Sequence, residues 1–434
     1  MTNSARLWAR SNILWGVIFS IVLLGIVAEG VRQTHAKAIR NPNDFVTLYA
    51  GSICMTHDCN PYNIPQLDSV LVSRRGTEIQ QAWFDQLPIY PPTTLVLLLP
   101  FSFLSYKAAT VIWFVLSLGV YIVGVCWVCF WSPLLRGTPL LARGAFALLA
   151  LHFPKMLQCL GFGNPSVMVT GLLLFAVFDA RGERKLLRLI ATLAACFLKP
   201  PMAIPVGMVM LLRESRSWRE VWKIAALCLG AFVLVAACSY IPPGMARWPH
   251  DLGANLALGR QGGMSPINRV SPSNVLLNVA NIPGYFTTSS LAIQAIAIGV
   301  VVPLTAMFVI AFYRMKDTGG WNDRAYLTAV ATAAAITLLP VYHRFCDIGI
   351  LLLVAPWIIR ELFGTPRWQA FVTVPVMGAL YFSWERRIHL ERFHGAIHSV
   401  IEFLYYRGDA LLVLFLACVL LSAMFQRARE PVSQ

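Results

Sequence analysis

The stretch NPNDFVTLYAG, residues 41–51, sets a carboxylate, Asp44, among apolar and aromatic residues, with Tyr49 five positions on. A carboxylate is costly to desolvate unless it is paired or used. Two readings follow: Asn43 or Asp44 caps a helix that starts at Phe45, or Asp44 takes a proton from a substrate. The next polar stretch, HDCNPYN (57–63), supplies Asp58 as a rival base or substrate contact, together with Tyr62. Cations able to hold an anion come later: Lys199 in LKPP, Arg260 and Arg269 in GRQGGMSPINR, and His343 with Arg344 in YHRFCD, where Asp347 is a further carboxylate. Each has an ordinary reading beside the functional one. Lys199 can snorkel to an interface, the two loop arginines can be solvated, and His343 and Arg344 can finish a helix end. Asn164 in GFGNPS either bonds a substrate hydroxyl or satisfies a backbone group at a helix start. His389, His394 and His398 do not share one tight face with an acid, so no metal site is expected there.

The elements that must position these residues belong in a bilayer. The chain has 434 residues, of which 57% are hydrophobic and 13% charged, with a mean hydropathy of +0.64. That much apolar surface exceeds what a soluble core hides. Runs such as 108–131 and 289–312 contain no Asp, Glu, Lys or Arg and suit spanning helices. A formal charge of +15 would suggest nucleic acid in a soluble domain, but the cations gather in short loops, RGERKLLR (181–188) and RESRSWREVWK (213–223), as the positive-inside rule expects of cytoplasmic loops. No basic stripe interleaved with exposed aromatics points to nucleic acid.

Thirteen apolar segments are read, from 12–28, taken as a retained first helix rather than a signal peptide, to 409–425. Arg6, Arg10, Arg427 and Arg429 put both termini in the cytoplasm, so the number of crossings is even and about twelve is expected. The segment that fails to cross lies within 90–160, where Pro91, Pro92, Pro100 and Pro154 interrupt the pattern. The expectation is a single all-α polytopic membrane domain, 1–434. Its first external loop, 29–89, carries short interfacial helices, and its second, 242–288, covers a bound ligand. The short runs 186–198 and 200–212 meet at LKPP, which requires either surrounding protein or a polar cavity. HLERFHGAIHSVIEF, within 385–407, reads as an amphipathic helix at the interface. Of ten cysteines, Cys126, Cys129, Cys159, Cys196, Cys228, Cys238 and Cys418 read as small hydrophobes in apolar runs. Cys54 and Cys59 lie in an external loop and are candidates for a local disulfide.

The order of motifs carries a family resemblance. DFVTLYAG is followed by HDCNPYN, IYPPTTLVLLLPFSFL (89–104), GFGNPSVMVTGLLL (161–174) and ARGERKLLRLIATLAACFLKPPMAIP (180–205). This set resembles the polyprenol-phosphate-mannose-dependent mannosyltransferases of glycosyltransferase family 87, a bacterial branch of the GT-C membrane glycosyltransferases. The resemblance covers most of 30–210 and returns weakly at YHRFCD. It departs from the family pattern where Cys-Asn precedes Pro-Tyr in HDCNPYN, and at SPSN (271–274). It implies a GT-C-type fold, a lipid-phosphate-linked sugar as co-substrate with no metal or other cofactor, and Asp44 as the base. It also matches His343 to a late family histidine, and it puts the chain in the bacterial cytoplasmic membrane with its site facing the periplasm or exterior.

The chemistry fits one carboxylate. A polyprenyl phosphate leaves as an anion and needs no general acid, so a base that deprotonates the acceptor hydroxyl suffices and the anomeric centre inverts. The leaving phosphate asks for a cationic cradle, with Lys199, Arg260, Arg269, His343 and Arg344 as candidates, while Tyr49, Asp58, Tyr62 and Asn164 are candidate substrate contacts. The expected partners are a polyprenyl-phosphate sugar, a glycolipid or glycan acceptor, and membrane lipid. Rival readings are a different lipid-linked sugar, a transporter or flippase of polyprenyl-linked lipid, and an inactive membrane scaffold. No repeated halves of the transporter kind are evident.

Overall fold

The computed structural model describes residues 21, 24–25, 28–30, 32, 43–75, 88–179, 184–214, 218–240, 242–261, 277–317, 322–340, 345–364, 367–382 and 394–429. Every regular element among them is helical. Three helices are long and apolar enough to cross a bilayer, Tyr106–Trp131, Ser290–Lys316 and Gly395–Arg427. Leu140–Leu151 and Pro154–Phe162, bent by 40° at their break, make a fourth when taken together. Shorter apolar helices, Ser166–Phe178, Pro200–Arg213 and Trp368–Phe382, complete the set. Such a chain is compatible with a polytopic membrane protein.

Helix α1 and the segment after 394 differ from expectation, while 90–105 is broken into short pieces within the stretch 90–160 where a non-crossing segment was expected. The run 12–28 lies almost wholly outside the described residues. The helix carrying Asp44, α1 (Asn43–Cys54), does not rest on a surface. Residues 44–54 are buried on every side, because its apolar residues continue around the whole helix instead of forming one stripe. It is followed by α2 (Ile64–Arg75). The run 90–105 becomes α3 (Pro92–Leu97) and a 3₁₀ turn, Leu99–Phe103. At about 1.5–2 Å per residue neither can cross, since Pro100 interrupts them. Of the proposed interfacial helix, 385–393 fall outside the described residues, and Gly395 onward belongs to one continuous helix, Gly395–Arg427.

The site is held by four further pieces. Helix α4 (Tyr106–Cys126) crosses α7 (Ser166–Phe178) at Gly124 and Gly171, where a Cβ on either glycine would enter the other helix's backbone. Close approach of this kind needs glycine. Between them α5 (Leu140–Leu151) and α6 (Pro154–Phe162) lead up to the start of α7. Then α8 (Lys185–Leu198) and α9 (Pro200–Glu214) meet at Lys199. Pro200 and Pro201 supply no N–H, so the carbonyls of the last turn of α8 lose intrahelical donors. Threonine hydroxyls from α3 replace them: Thr93 donates to Phe197 O at 3.1 Å and Thr94 to Leu198 O at 3.0 Å, with Phe197 O 3.3 Å from the same Thr94 hydroxyl. Protein therefore satisfies these junction carbonyls, and the IYPPTT and LKPP motifs are bonded to each other.

The remaining helices are α10 (Trp218–Cys238), α11 (Trp248–Gln261), α12 (Ser290–Asp317), α13 (Asp323–Thr337), α14 (Ala355–Leu362), α15 (Trp368–Phe382) and α16 (Gly395–Arg427). Alanine-rich α13 is buried from Ala325 to Thr337. A 3₁₀ stretch, Phe345–Leu353, brings Asp347 beside α7.

Candidate active site

Helix α6 ends in a Schellman turn: Gly163 N–H donates to Leu160 O and Asn164 N–H to Cys159 O, both at 3.0 Å. Gly163 sits at φ +67°, a left-handed conformation that favours glycine. A Cβ there would stand 2.5 Å from the Phe45 Cβ. Phe45 in turn stacks on Trp113 at 5.7 Å between ring centroids, and Trp113 donates from Nε1 to Gly163 O at 2.8 Å. The turn and the start of α1 are thereby pinned to each other.

This contact brings Asp44 to Asn164, whose Nδ2 donates to Asp44 Oδ2 at 2.8 Å. Both residues are only 7% exposed. The amide cannot be reversed, because Asn164 Oδ1 accepts from the Ser166 backbone N–H at 2.9 Å, and a backbone N–H only donates. Tyr90 OH lies 3.3 Å from the same Nδ2. The Ser166 hydroxyl is 2.7 Å from Asn164 Oδ1 and 2.6 Å from Asp347 Oδ1, and it accepts from Lys199 Nζ at 2.8 Å. Lys199 completes the chain with an ion pair to Asp347 at 2.5 Å. A connected polar network thus runs from Asp44 through Asn164 and Ser166 to Lys199 and Asp347. It unites residues from four of the sequence's separate motifs, and all but Lys199 are nearly fully buried.

The first and second polar stretches pack against each other. Asn255 in α11 donates to Tyr62 O at 2.9 Å and Pro88 O at 3.1 Å, and Asn60 donates to Asp251 Oδ2 at 2.7 Å. Gly244 lies so close to the Cys59 backbone that a Cβ would overlap it. The Asp251 carboxyl is held below the usual carboxylate range by its hydrogen bond from His250 and by that from Asn60.

The expected site residues divide accordingly. Asp44, Asn164 and Lys199 come together. Of the two readings of Asn164, the backbone group at a helix start is the one seen: its acceptor holds the start of α7 in an Asx turn, and its donor holds Asp44. Tyr49 is fully buried on another face of α1 and donates to Leu104 O at 2.7 Å, a contact with protein. Tyr62 donates to Tyr90 O at 2.9 Å, and burial pushes its phenol up, so it remains a donor. Asp58 is exposed in the turn after α1, about 15 Å along the chain from the start of that helix. Arg260 lies in the last turn of α11 with its side chain outside the described residues, and Arg269, His343 and Arg344 lie outside them altogether. Among the described residues no group of three His, Cys, Asp or Glu could hold a metal ion.

Cys54 is joined to Cys59, with Cα atoms 4.8 Å apart. Cys159, read as a small hydrophobe, is instead joined to Cys346, 187 positions away, with Cα atoms 5.6 Å apart. This bond ties α6 to the residue next to Asp347. Two cysteines in distant apolar runs carry no pairing signal. Ser166 and Tyr90 were likewise passed over, although both sit inside motifs already singled out.

In comparisons with known proteins, the family model of glycosyltransferase family 87 matches residues 89–322. No curated protein and no solved structure matches the chain.

Proposed function

The chain belongs to glycosyltransferase family 87, and from that membership we propose that it transfers mannose from a polyprenyl-phosphate donor to an acceptor hydroxyl, with inversion, on the external face of the membrane. The observation that carries this reading is the buried carboxylate of Asp44 linked through Asn164 and Ser166 to Lys199. Asp44 is the base. The Asn164 N–H on its Oδ2 favours the charged form, which is the form that accepts the acceptor's proton. Lys199 stands at the phosphate side: Ser166 and Asp347 take two of its three donors, and its side chain is 17% exposed. Preorganised positive charge at the leaving oxygen is strongest where water is excluded. Asp347 keeps that ammonium in place until an anion competes for it.

Two observations support an external site. Arg188, Arg213, Arg324, Arg360, Arg367 and Arg427 gather at the ends of helices farthest from Asp44, about 20 Å away along α7 or α9, as the positive-inside rule asks. Both disulfides lie at the Asp44 end, where an oxidising compartment would maintain them. A GT-C-type fold with about twelve crossings and a glycolipid or glycan acceptor completes the reading.

The test is reconstitution of the full chain in lipid vesicles with labelled polyprenyl-phospho-mannose and a mixed acceptor lipid extract, comparing wild type with Asp44→Asn. Transfer should fall about 10²- to 10⁴-fold in the variant, the usual contribution of a general base, with donor binding retained. Full transfer by Asp44→Asn would remove the base assignment. Donor crossing between leaflets without transfer, unaffected by the variant, would favour a flippase.

A further inference from the structure

Ser166 touches both halves of the site network, and its hydroxyl carries a single proton. Four contacts meet around its hydroxyl and the ion pair: Lys199 to Ser166 at 2.8 Å, Lys199 to Asp347 at 2.5 Å, Ser166 to Asp347 at 2.6 Å and Ser166 to Asn164 Oδ1 at 2.7 Å. Lys199 donates in the first two. The last two both need a proton from Ser166, and a serine hydroxyl has one. Asn164 and Asp347 therefore compete for it. The carboxylate is the stronger acceptor, but its Oδ1 is already served by the Lys199 ammonium. How far the hydroxyl turns toward Asn164 thus depends on how closely Lys199 and Asp347 are paired.

We propose that Ser166 is a positioning residue: its hydroxyl joins the Lys199–Asp347 ion pair to the Asn164 carboxamide and so sets how strongly that amide holds the Asp44 carboxylate. A hydrogen bond accepted at Asn164 Oδ1 polarises the amide and strengthens the N–H that points at Asp44, because chained hydrogen bonds reinforce one another in a buried site. An anion that draws Lys199 away from Asp347 lets the carboxylate claim the hydroxyl. Asn164 then loosens its hold, and Asp44 becomes the stronger base when the donor phosphate is in place. The inference rests on the reading of Asp44 as base, and it gives Lys199 a second consequence beyond contact with phosphate.

The test uses a readout that needs no substrate. A hydrophobic carbodiimide modifies carboxylic acids in their protonated form, so labelling of Asp44 against pH, mapped by mass spectrometry on the full chain in vesicles, reports how firmly the carboxylate is held. Ser166→Ala changes no charge, and it keeps the backbone N–H that fixes the Asn164 amide. Its labelling midpoint should rise by about half a pH unit or more, and Ser166→Thr, which restores the hydroxyl, should return it to the wild-type value. In the transfer assay the acid limb of the pH–rate profile should move the same way in Ser166→Ala, while the donor concentration for half-maximal rate changes less than about twofold. If Ser166→Ala does not fold, Ser166→Cys, a weaker hydrogen-bonding group of similar shape, should give a smaller shift of the same sign. A midpoint and acid limb at the wild-type value in the folded Ala or Cys variant would overturn the proposal. So would a rise in the donor requirement with no change in either pH readout. Labelling proceeds without transfer, so loss of the mannosyltransferase reading and loss of the Ser166 role give different results.

Discussion

The half of the molecule that carries Asp44 and the half that carries Arg427 both hold ion pairs, and among the described residues the most buried of them differ in their cations. Near Asp44 the pairs are Lys199–Asp347 at 2.5 Å and, between α6 and α16, Lys155–Asp409 at 3.0 Å. At the far end they are arginine pairs. Glu361, fully buried, is held by Arg427 and, at 3.4 Å, by Arg367; Arg427 also donates to Thr328 at 3.1 Å. Arg213 pairs with Asp323 at 2.8 Å and lies over the Tyr326 ring at 4.0 Å, while Tyr326 donates to Val177 O at the end of α7. A guanidinium is planar, permanently charged and able to hold several acceptors in one fixed geometry, whereas an ammonium is a compact charge whose donors rotate. The arginine end is therefore a clamp. The lysine end can exchange one anionic partner for another, which is what binding and releasing a phosphate requires.

The comparison breaks most readily at Glu361. Glu361→Gln leaves two buried guanidiniums that cannot shed their protons, and the expected cost is about 3–5 kcal/mol. It should appear as a lower thermal midpoint in detergent or a loss of folded protein, with activity per folded molecule retained. Lys199→Gln should behave in the opposite way. Its amide can still bond Ser166, and the Asp347 left behind can neutralise itself by taking a proton. Folded yield should hold while transfer falls about 10²- to 10³-fold, the range seen when a preorganised charge-stabilising donor is removed. A Lys199→Gln protein that unfolds, or one that transfers normally, would make the two ends alike.

Much of the site was legible because its residues sit in motifs whose backbone chemistry is local. Gly-Asn-Pro announces a Schellman turn followed by a new helix, and Lys-Pro-Pro announces a helix end with bare carbonyls. What periodicity cannot convey is which motif satisfies which. The Thr93 and Thr94 hydroxyls find the carbonyls of Phe197 and Leu198 a hundred positions away, and Asn164 turns its donor to Asp44, 120 positions away. Helix α1 was misplaced for a related reason. Its apolar residues were read as facing a membrane surface, whereas they face α2, α3 and the Leu99–Phe103 turn, and apolar protein and lipid select the same side chains. The Lys199–Asp347 pair was missed because an intramembrane lysine needs a partner and the sequence offered several.

The disulfides sharpen the contrast further, since both lie at the lysine end. Replacing Cys159 and Cys346 together by alanine should lower stability by about 2–4 kcal/mol and loosen the segment that carries Asp347, so transfer should fall with it. Peptide mapping under non-reducing conditions checks the pairing itself, and free thiols at both positions would remove this tie.

The smallest effect expected is one of pH, again confined to the Asp44 end. Asp251 accepts from His250 at 2.9 Å and from Asn60 at 2.7 Å, and these bonds lower its folded value. A carboxyl depressed on folding contributes stability above its unfolded value, and the contribution is lost as pH falls through the depressed one. The contact between residues 57–63 and α11 should therefore weaken from about pH 4 downward, with no change between neutral pH and pH 5 from this group. Hydrogen exchange of the 57–63 amides, taken as a ratio to that of Asp251→Asn at each pH, should rise only in the acid range. The Glu361 cluster, compared with Glu361→Gln in the same samples, would test whether the response is local. Equal loosening at both ends would mean that acid acts on the whole fold and that the lysine and arginine halves are not separately tuned.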